Sequence, residues 1–305
     1  MSIKDVSYTN RVVCRFCNSD LIELNQRCGD KSELYVLQCK GCKLVQLSDF
    51  SHIEQSYYGS EEYLNDLFSI NNISSISTAV EREKAWNEKR LKLILESIAG
   101  AAKYRVLDYG AGHGGFLAEA HGVFADVIGF DLSPFYRSYY ESKGWRSACS
   151  LDAVDIEIDV VVLFHVLEHL KEPWRVLSDI LEKFETIKYV VLEVPNTNEA
   201  LNSIFCATKY RSVHYSSDHL YYFSYETLRL IPDTTGLSVI KETGFQRYSL
   251  GNNISWLMND DVVKKKIVKI FDDEVLNNYY EKLLVEKQIC DSIVFICERK
   301  KSWQD

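Results

Sequence analysis

Between Tyr104 and Val194, four short and almost uninterrupted apolar runs alternate with helical segments. Tyr104–Asp108, Val127–Phe130, Val160–Phe164 and Tyr189–Val194 read as strands with no polar face, a pattern that suits a parallel sheet covered by helices on both sides. The helices between them carry their own punctuation. Trp86, Leu91, Ile94, Leu95 and Ile98 mark the apolar face of a helix whose start is read at Thr78, three residues before Glu81, and whose stop is Gly100. Ser133 as N-cap, Pro134 at the first helical position and Gly144 as the stop frame another. Beyond Leu237 a further strand, a helical region around 259–287 and a last strand over Ser292–Cys297 are expected. The chain is predicted to be an α/β protein with a doubly wound sheet.

A different feature dominates the front of the chain. Five of the nine cysteines fall within the first 42 residues. Cys14-Arg-Phe-Cys17 and Cys39-Lys-Gly-Cys42 are two C-x-x-C knuckles, and Gly41 frees the second turn. Tetrahedral zinc is held by four thiolates at about 2.3 Å, and two knuckles on facing turns supply them. Such a zinc is structural, because four thiolates leave no open position for a substrate and so small a module needs a staple. Cys28 is read as a spectator. The predicted organisation is a zinc-ribbon-like module over 1–60, a helical linker and lead-in helix over 61–100, and the α/β domain over 101–305. A tyrosine-bearing stretch (Tyr57, Tyr58, Tyr63) and a polar segment starting at Asn71 mark the join.

The sequence Val106-Leu-Asp-Tyr-Gly-Ala-Gly-His-Gly-Gly115 follows the first core strand and opens a helix. Glycines there let a ligand approach the backbone and the helix N–H groups. Gly110, Gly112 and Gly115 satisfy the dinucleotide pattern G-x-G-x-x-G, while Asp108, Gly110, Gly112 and Gly114 satisfy D-x-G-x-G-x-G. Asp131, at the end of the second strand, suits the two ribose hydroxyls of either kind of cofactor. Asp108 tips the balance: a carboxylate would oppose a pyrophosphate but suits a cofactor bearing an amino acid group and a sulfonium.

These segments, with Val127-Ile-Gly-Phe-Asp-Leu-Ser-Pro134 and Asp159-Val-Val-Val-Leu-Phe-His-Val-Leu-Glu-His-Leu-Lys-Glu-Pro173, resemble the successive motifs of class I S-adenosylmethionine-dependent methyltransferases over residues ~80–245. The resemblance implies a Rossmann-like, seven-stranded sheet with a reversed final strand. It implies that Asp108 and the loop face the methionine part, that Asp131 holds the ribose, that His165 lies on the cofactor side and that Asp152 meets the adenine edge. The segment His219–Leu228 is similar to the H-x-x-x-F-S-x-x-x-L element of many methyltransferases, with Ser224 capping the next helix. Tyr35-Val-Leu-Gln-Cys-Lys-Gly-Cys-Lys-Leu-Val-Gln-Leu47 with the upstream knuckle resembles the zinc module of sugar-nucleotide C-methyltransferases and of shorter relatives in capsule and polysaccharide clusters. In that family a Glu-His pair supplies the base, which places it here at Asp218-His219; Ser216 stands where the family carries a tyrosine, and the family's long C-terminal domain is missing.

His165-Val-Leu-Glu-His169 also matches the inverted zinc-protease pattern, which requires a helix, whereas here an apolar strand runs straight into it. Ligands of doubly wound folds sit beyond the carboxyl ends of the strands, so Glu168 and His169 belong near the reacting centre. The expected base is His219, oriented by Asp218, with His169 second; histidine titrates near working pH.

A formal charge of −9 weakens the case for a nucleic-acid or anionic-membrane partner. No uncharged apolar run approaches the ~18 residues of a membrane helix, and the start shows no signal-peptide core. The expectation is a cytoplasmic enzyme that methylates oxygen or carbon of a small polar acceptor, a sugar nucleotide or other carbohydrate intermediate. The competing readings are a zinc-ribbon methyltransferase acting on RNA or protein and a non-catalytic binding protein that keeps the fold.

Overall fold

The computed structural model describes residues 12–53, 60, 75–258 and 261–300. Tyr57, Tyr58, Tyr63 and the start of the polar segment at Asn71 lie outside them. At the front, β1 (Leu21–Arg27), β2 (Tyr35–Cys39) and β3 (Val45–Leu47) form an antiparallel meander. The helix α1 (Ile76–Ser97) leads into β4 (Arg105–Tyr109), α2 (Gly115–Ala120), β5 (Asp126–Phe130), α3 (Pro134–Lys143) and β6 (Arg146–Ala148). Then come β7 (Val160–Phe164), α4 (Pro173–Lys183), β8 (Tyr189–Pro195), α5 (Ala200–Ser203), α6 (Thr208–His214) and β9 (Tyr221–Tyr222). The chain finishes through α7 (Tyr225–Leu228), α8 (Leu230–Thr234), β10 (Leu237–Phe245), α9 (Leu250–Trp256), α10 (Asp261–Ile270), α11 (Glu274–Glu286) and β11 (Ser292–Arg299).

The large sheet has seven strands in the order β10-β11-β8-β7-β4-β5-β6. The five strands from β8 to β6 are parallel, and β11 inserts antiparallel between β8 and β10, the reversed final strand expected from the sequence. The apolar runs are buried to completion: Val160, Val161, Val162 and Leu163 have no exposed surface. Their side chains divide between two cores, one on each face of the sheet. Register aligns the carboxyl ends. Asp108 sits opposite Gly129, and Phe164 opposite Glu193, so the acids and the loops beyond them gather along one edge.

Local signals place the helices with one correction. Gly144 closes α3 at φ 71° and Gly100 follows α1 at φ 72°, both left-handed as the stop residues require. Ser224 caps α7 in a capping box with Thr227. The start of α1, read at Thr78, lies further upstream: the helix begins at Ile76, and Ser75 Oγ accepts the Thr78 N–H at 3.2 Å. Ser75 thus fills the acceptor role at the right distance from the third helical amide, which leaves Thr78 inside the first turn.

The small sheet is not self-contained. Its order is β1-β2-β3-β9, and the fourth strand comes from much later in the chain: Val45 pairs with Tyr222 and Gln46 with Tyr221. Phe50 and Tyr221 meet edge-on at 5.2 Å, and Phe16 meets Trp174 of α4 at 5.2 Å, so the front module and the large domain share one hydrophobic core.

Candidate active site

The four knuckle cysteines converge as their spacing predicts. Cys14 Sγ lies 3.6 Å from Cys42 Sγ, and Cys17 Sγ lies 3.4 Å from Cys39 Sγ. A tetrahedral zinc with bonds of about 2.3 Å wants its sulfurs roughly 3.8 Å apart, so the set fits that ion. Each knuckle ends in a left-handed residue, Asn18 at φ 59° and Lys43 at φ 65°, which turns the chain back after the second cysteine. Gly41 is needed for room: a Cβ there would stand 2.6 Å from Ser19 Oγ. Cys28 lies apart, its thiol donating to Asp30 at 2.9 Å.

Beyond the carboxyl ends of β4, β5 and β7 opens a cleft of about 860 Å³. Asp108, Gly110, Gly112, Asp131 and His165 all line it. Gly110 has φ 81°, and a Cβ there would come within 2.5 Å of Val166 Cγ2, so loop and strand end can approach only without a side chain. Gly112 donates its N–H to Asp131 Oδ2 at 2.8 Å, and Ser133 donates to Asp131 Oδ1 at 2.8 Å. These bonds aim the Asp131 carboxylate and lock the loop to the next strand. Burial, aided by Asp131 and opposed by Arg90, pushes the Asp108 carboxyl up to about 7. A buried acid without a cation of its own suits a cationic ligand.

Gly114 and Asp152 stand away from the cleft wall. Gly114 makes room for Tyr140, whose hydroxyl bonds the Gly112 carbonyl. The Asp152 side chain is 94% exposed and pairs with Lys183 at 2.7 Å.

Several wall residues escaped the sequence reading. Glu83, Trp86, Asn87 and Arg90 all project from the middle of α1 into the cleft, joined by Tyr109, His113 and Arg247. Arg90 grips Glu193 with two bonds of 2.7 Å, Nε to Oε2 and Nη2 to Oε1, and its third nitrogen donates to Asn87 at 2.8 Å. The pair holds the fully buried Glu193 carboxyl well below its usual range against the opposing effect of burial. Glu193 Oε1 also lies 3.0 Å from His165 Nε2, whose other nitrogen is 3.3 Å from Glu168. Burial disfavours the charged imidazole of His165, yet the two flanking carboxylates prevail and raise its pKa. His165 adopts φ 56°, a left-handed conformation that swings its ring into this bridge. Glu83 meets His113 Nε2 at 2.9 Å on the same wall.

At the other end of the cleft lies the Glu168–His169–His219 cluster. His169 lines the cleft, whereas Glu168, Asp218 and His219 stand behind it. Ligand-capable atoms of Glu168, His169 and His219 all lie within 4.8 Å of one another, close enough to share one positive charge. The His169 and His219 rings meet edge-on at 4.9 Å. His169 Nδ1 lies 2.8 Å from the Asp218 carbonyl oxygen. A carbonyl only accepts, so Nδ1 carries a proton, and in the neutral ring the lone pair falls on Nε2. His219 Nε2 is 3.9 Å from Asp218 Oδ2, its Nδ1 has no hydrogen-bond partner, and burial depresses its pKa against the pull of Asp218. Glu168 is 1% exposed with both oxygens unbonded by hydrogen-bond geometry. Its charge is kept by the histidines around it, which hold its pKa down although burial works to raise it.

Among the described residues no helix is long and apolar enough to cross a membrane. No curated protein matches the chain by sequence. Among solved structures, an S-adenosylmethionine-dependent methyltransferase from Archaeoglobus fulgidus is 20% identical, aligned over 79% of this chain and 100% of that one with a TM-score of 0.46. Magnesium protoporphyrin IX methyltransferase from Synechocystis PCC 6803, with bound S-adenosylhomocysteine, is 12% identical over 81% of this chain and 98% of its own, with a TM-score of 0.51, which speaks for a shared fold. The sequence profile of the methyltransferase domain matches residues 78–242, more than half of the chain. That span runs from α1 to β10 and takes in Asp108, Asp131 and the His165–His169 turn, so the chain belongs to the methyltransferase-domain family and is a class I S-adenosylmethionine-dependent methyltransferase.

Proposed function

We propose that the enzyme methylates a hydroxyl or an acidic carbon of a small polar acceptor, a sugar nucleotide or related carbohydrate intermediate, with His169 as the base. The zinc of the front module, held by Cys14, Cys17, Cys39 and Cys42, is structural in this reading. The observation that carries the proposal is the 2.8 Å contact of His169 Nδ1 with the Asp218 carbonyl, on a residue that lines the cleft; in the neutral ring this contact leaves Nε2 as the basic nitrogen.

S-adenosylmethionine supplies a methyl group on a sulfonium, open to in-line displacement. Asp108 and Asp131 supply negative charge where the ammonium or sulfonium and the ribose hydroxyls need it, and the glycine loop gives the backbone access. His169 Nε2 would take the proton that the acceptor gives up when its oxygen or carbon displaces sulfur from the methyl group, the carbon–sulfur electron pair leaving with the thioether; the imidazolium so formed would lie beside Glu168, whose buried carboxylate favours the charge. His219 and Asp218 back the ring, so the order of the two histidines expected from the sequence is reversed in this proposal. The cleft, about 860 Å³ with both polar and apolar walls, supports a small molecule as acceptor.

The test is methyl transfer from labelled S-adenosylmethionine by the zinc-loaded protein to a panel of nucleoside diphosphate sugars. Transfer to at least one is expected, and His169→Ala should lower kcat by about 10²- to 10⁴-fold with the affinity for S-adenosylhomocysteine unchanged. Transfer confined to RNA or peptide, or an undiminished kcat in the variant, overturns the reading.

A further inference from the structure

The segment that carries Asp218 and His219 is tied to the front module at almost every second residue. Gly29 N–H donates to the Tyr215 carbonyl at 2.8 Å. The Asp30 carboxylate accepts from the Ser217 backbone N–H at 2.8 Å and from its hydroxyl at 2.6 Å. His52 Nε2 donates to the Ser217 carbonyl at 2.7 Å. Leu47 N–H donates to the Leu220 carbonyl at 3.0 Å, and the next two residues form β9 against β3. Ser217 itself is buried. One residue after this clamp comes the Asp218 carbonyl that receives the His169 Nδ1 proton, and Leu220 N–H closes the loop onto the Glu168 carbonyl at 2.7 Å. Ile53, beside His52, is part of the cleft wall.

We propose that Asp30 is a positioning residue for His169: by fixing Ser217 it places the Asp218 carbonyl, and so decides which imidazole nitrogen carries the proton. The front module is then a working part of the acceptor end of the cleft. A peptide clamped on both sides of one residue has little freedom to rotate its neighbouring carbonyl, whereas an unclamped loop would exchange that carbonyl for water and free the imidazole to change tautomer. The chemistry favours Asp30 as the clamp. Burial opposes its charge, but the bonds from Cys28 and Ser217 prevail and keep its pKa below the usual value, so the carboxylate accepts from both Ser217 donors at neutral pH. The residue as a whole is solvent-exposed, so its replacement leaves the core intact.

This inference rests on the reading of His169 as base, and its test separates the two. In the full-length, zinc-loaded protein with histidine labelled by nitrogen-15, His169 should show the Nδ1-protonated pattern. Asp30→Ala should convert it to a mixture of tautomers and lower kcat about tenfold at unchanged S-adenosylhomocysteine affinity. Asp30→Asn should restore both readouts, because its amide accepts from the Ser217 N–H and donates to the Ser217 hydroxyl. Ser217→Ala, which keeps the backbone bond, should fall between the two. An unaltered His169 pattern in Asp30→Ala overturns the inference. A shifted pattern together with full activity of His169→Ala leaves the clamp standing and removes the base.

Discussion

The two ends of the cleft are built in opposite ways. The cofactor end is made by consecutive strand–loop–helix units: Asp108, Gly110 and Gly112 lie within five residues, and Asp131 closes on Gly112 through one hydrogen bond. The end proposed to meet the acceptor is assembled from distant pieces, with His169 held by Asp218, 49 positions away, and Ser217 held by Asp30, 187 positions away. A cofactor common to many enzymes is thus held by local geometry that folds with the sheet. If the His169 end meets the acceptor as proposed, it depends on a separate module, where changes of loop or module would alter specificity without disturbing the cofactor.

The largest effect that would sharpen this contrast comes from the metal. A structural zinc contributes on the order of 10 kcal/mol to folding a small cysteine module. Cys39→Ser should therefore release the metal, seen as lost zinc in elemental analysis, and abolish transfer, while calorimetry still registers S-adenosylhomocysteine binding within about threefold of the parent. Loss of binding together with transfer would erase the distinction between the ends. Next comes the seam between them. Arg90→Met strands the buried Glu193 carboxylate and should cost about 3–5 kcal/mol in urea unfolding.

A smaller effect tests the cofactor end by pH. Asp108 has its pKa raised to about 7 in the native protein, above the value of a carboxyl in an unfolded chain. The native state therefore binds a proton more tightly than the unfolded state, and the ligand-free protein loses stability as pH rises through the range up to about 7. A cationic cofactor needs the ionised form, so its affinity should weaken as pH falls below about 7, by up to about tenfold per unit. Asp108→Asn should flatten that profile and weaken binding about 10- to 100-fold at pH 8. The smallest expected effect is at Asp152. Paired to Lys183 on the surface, it should change cofactor affinity by less than about twofold on replacement by Ala, within the usual range for surface sites. A larger loss would bring Asp152 into the cofactor site.

What was legible in the sequence follows the same division. Asp108, Gly110, Gly112 and Asp131, which line the cleft, occur at fixed offsets from strand ends, so contiguous spacing reports them, whereas Gly114 faces Tyr140 instead. The cysteine knuckles are legible for the same reason: each pair sits on one turn, and the four converge into a set that could hold a metal. Asn87 and Arg90 were missed because they fall on the same buried face of α1 as Ile94, where helical spacing predicts apolar residues. What buries them is Glu193, 103 positions from Arg90, and no local pattern encodes that partner. Asp30 is a loop carboxylate with no local motif around it, and its contact with Ser217 exists only in the fold. Both histidines are named from the sequence, and the contact of His169 with the Asp218 carbonyl, on which the order proposed here rests, leaves no mark on residue identity.

The borrowed fourth strand of the small sheet has a consequence for biosynthesis. As the nascent chain emerges, β3 has an unpaired edge until residues 221 and 222 have been made and the core has folded far enough to deliver them. Throughout that interval its exposed amides and carbonyls can pair with other chains, so newly made protein is open to aggregation until β9 docks.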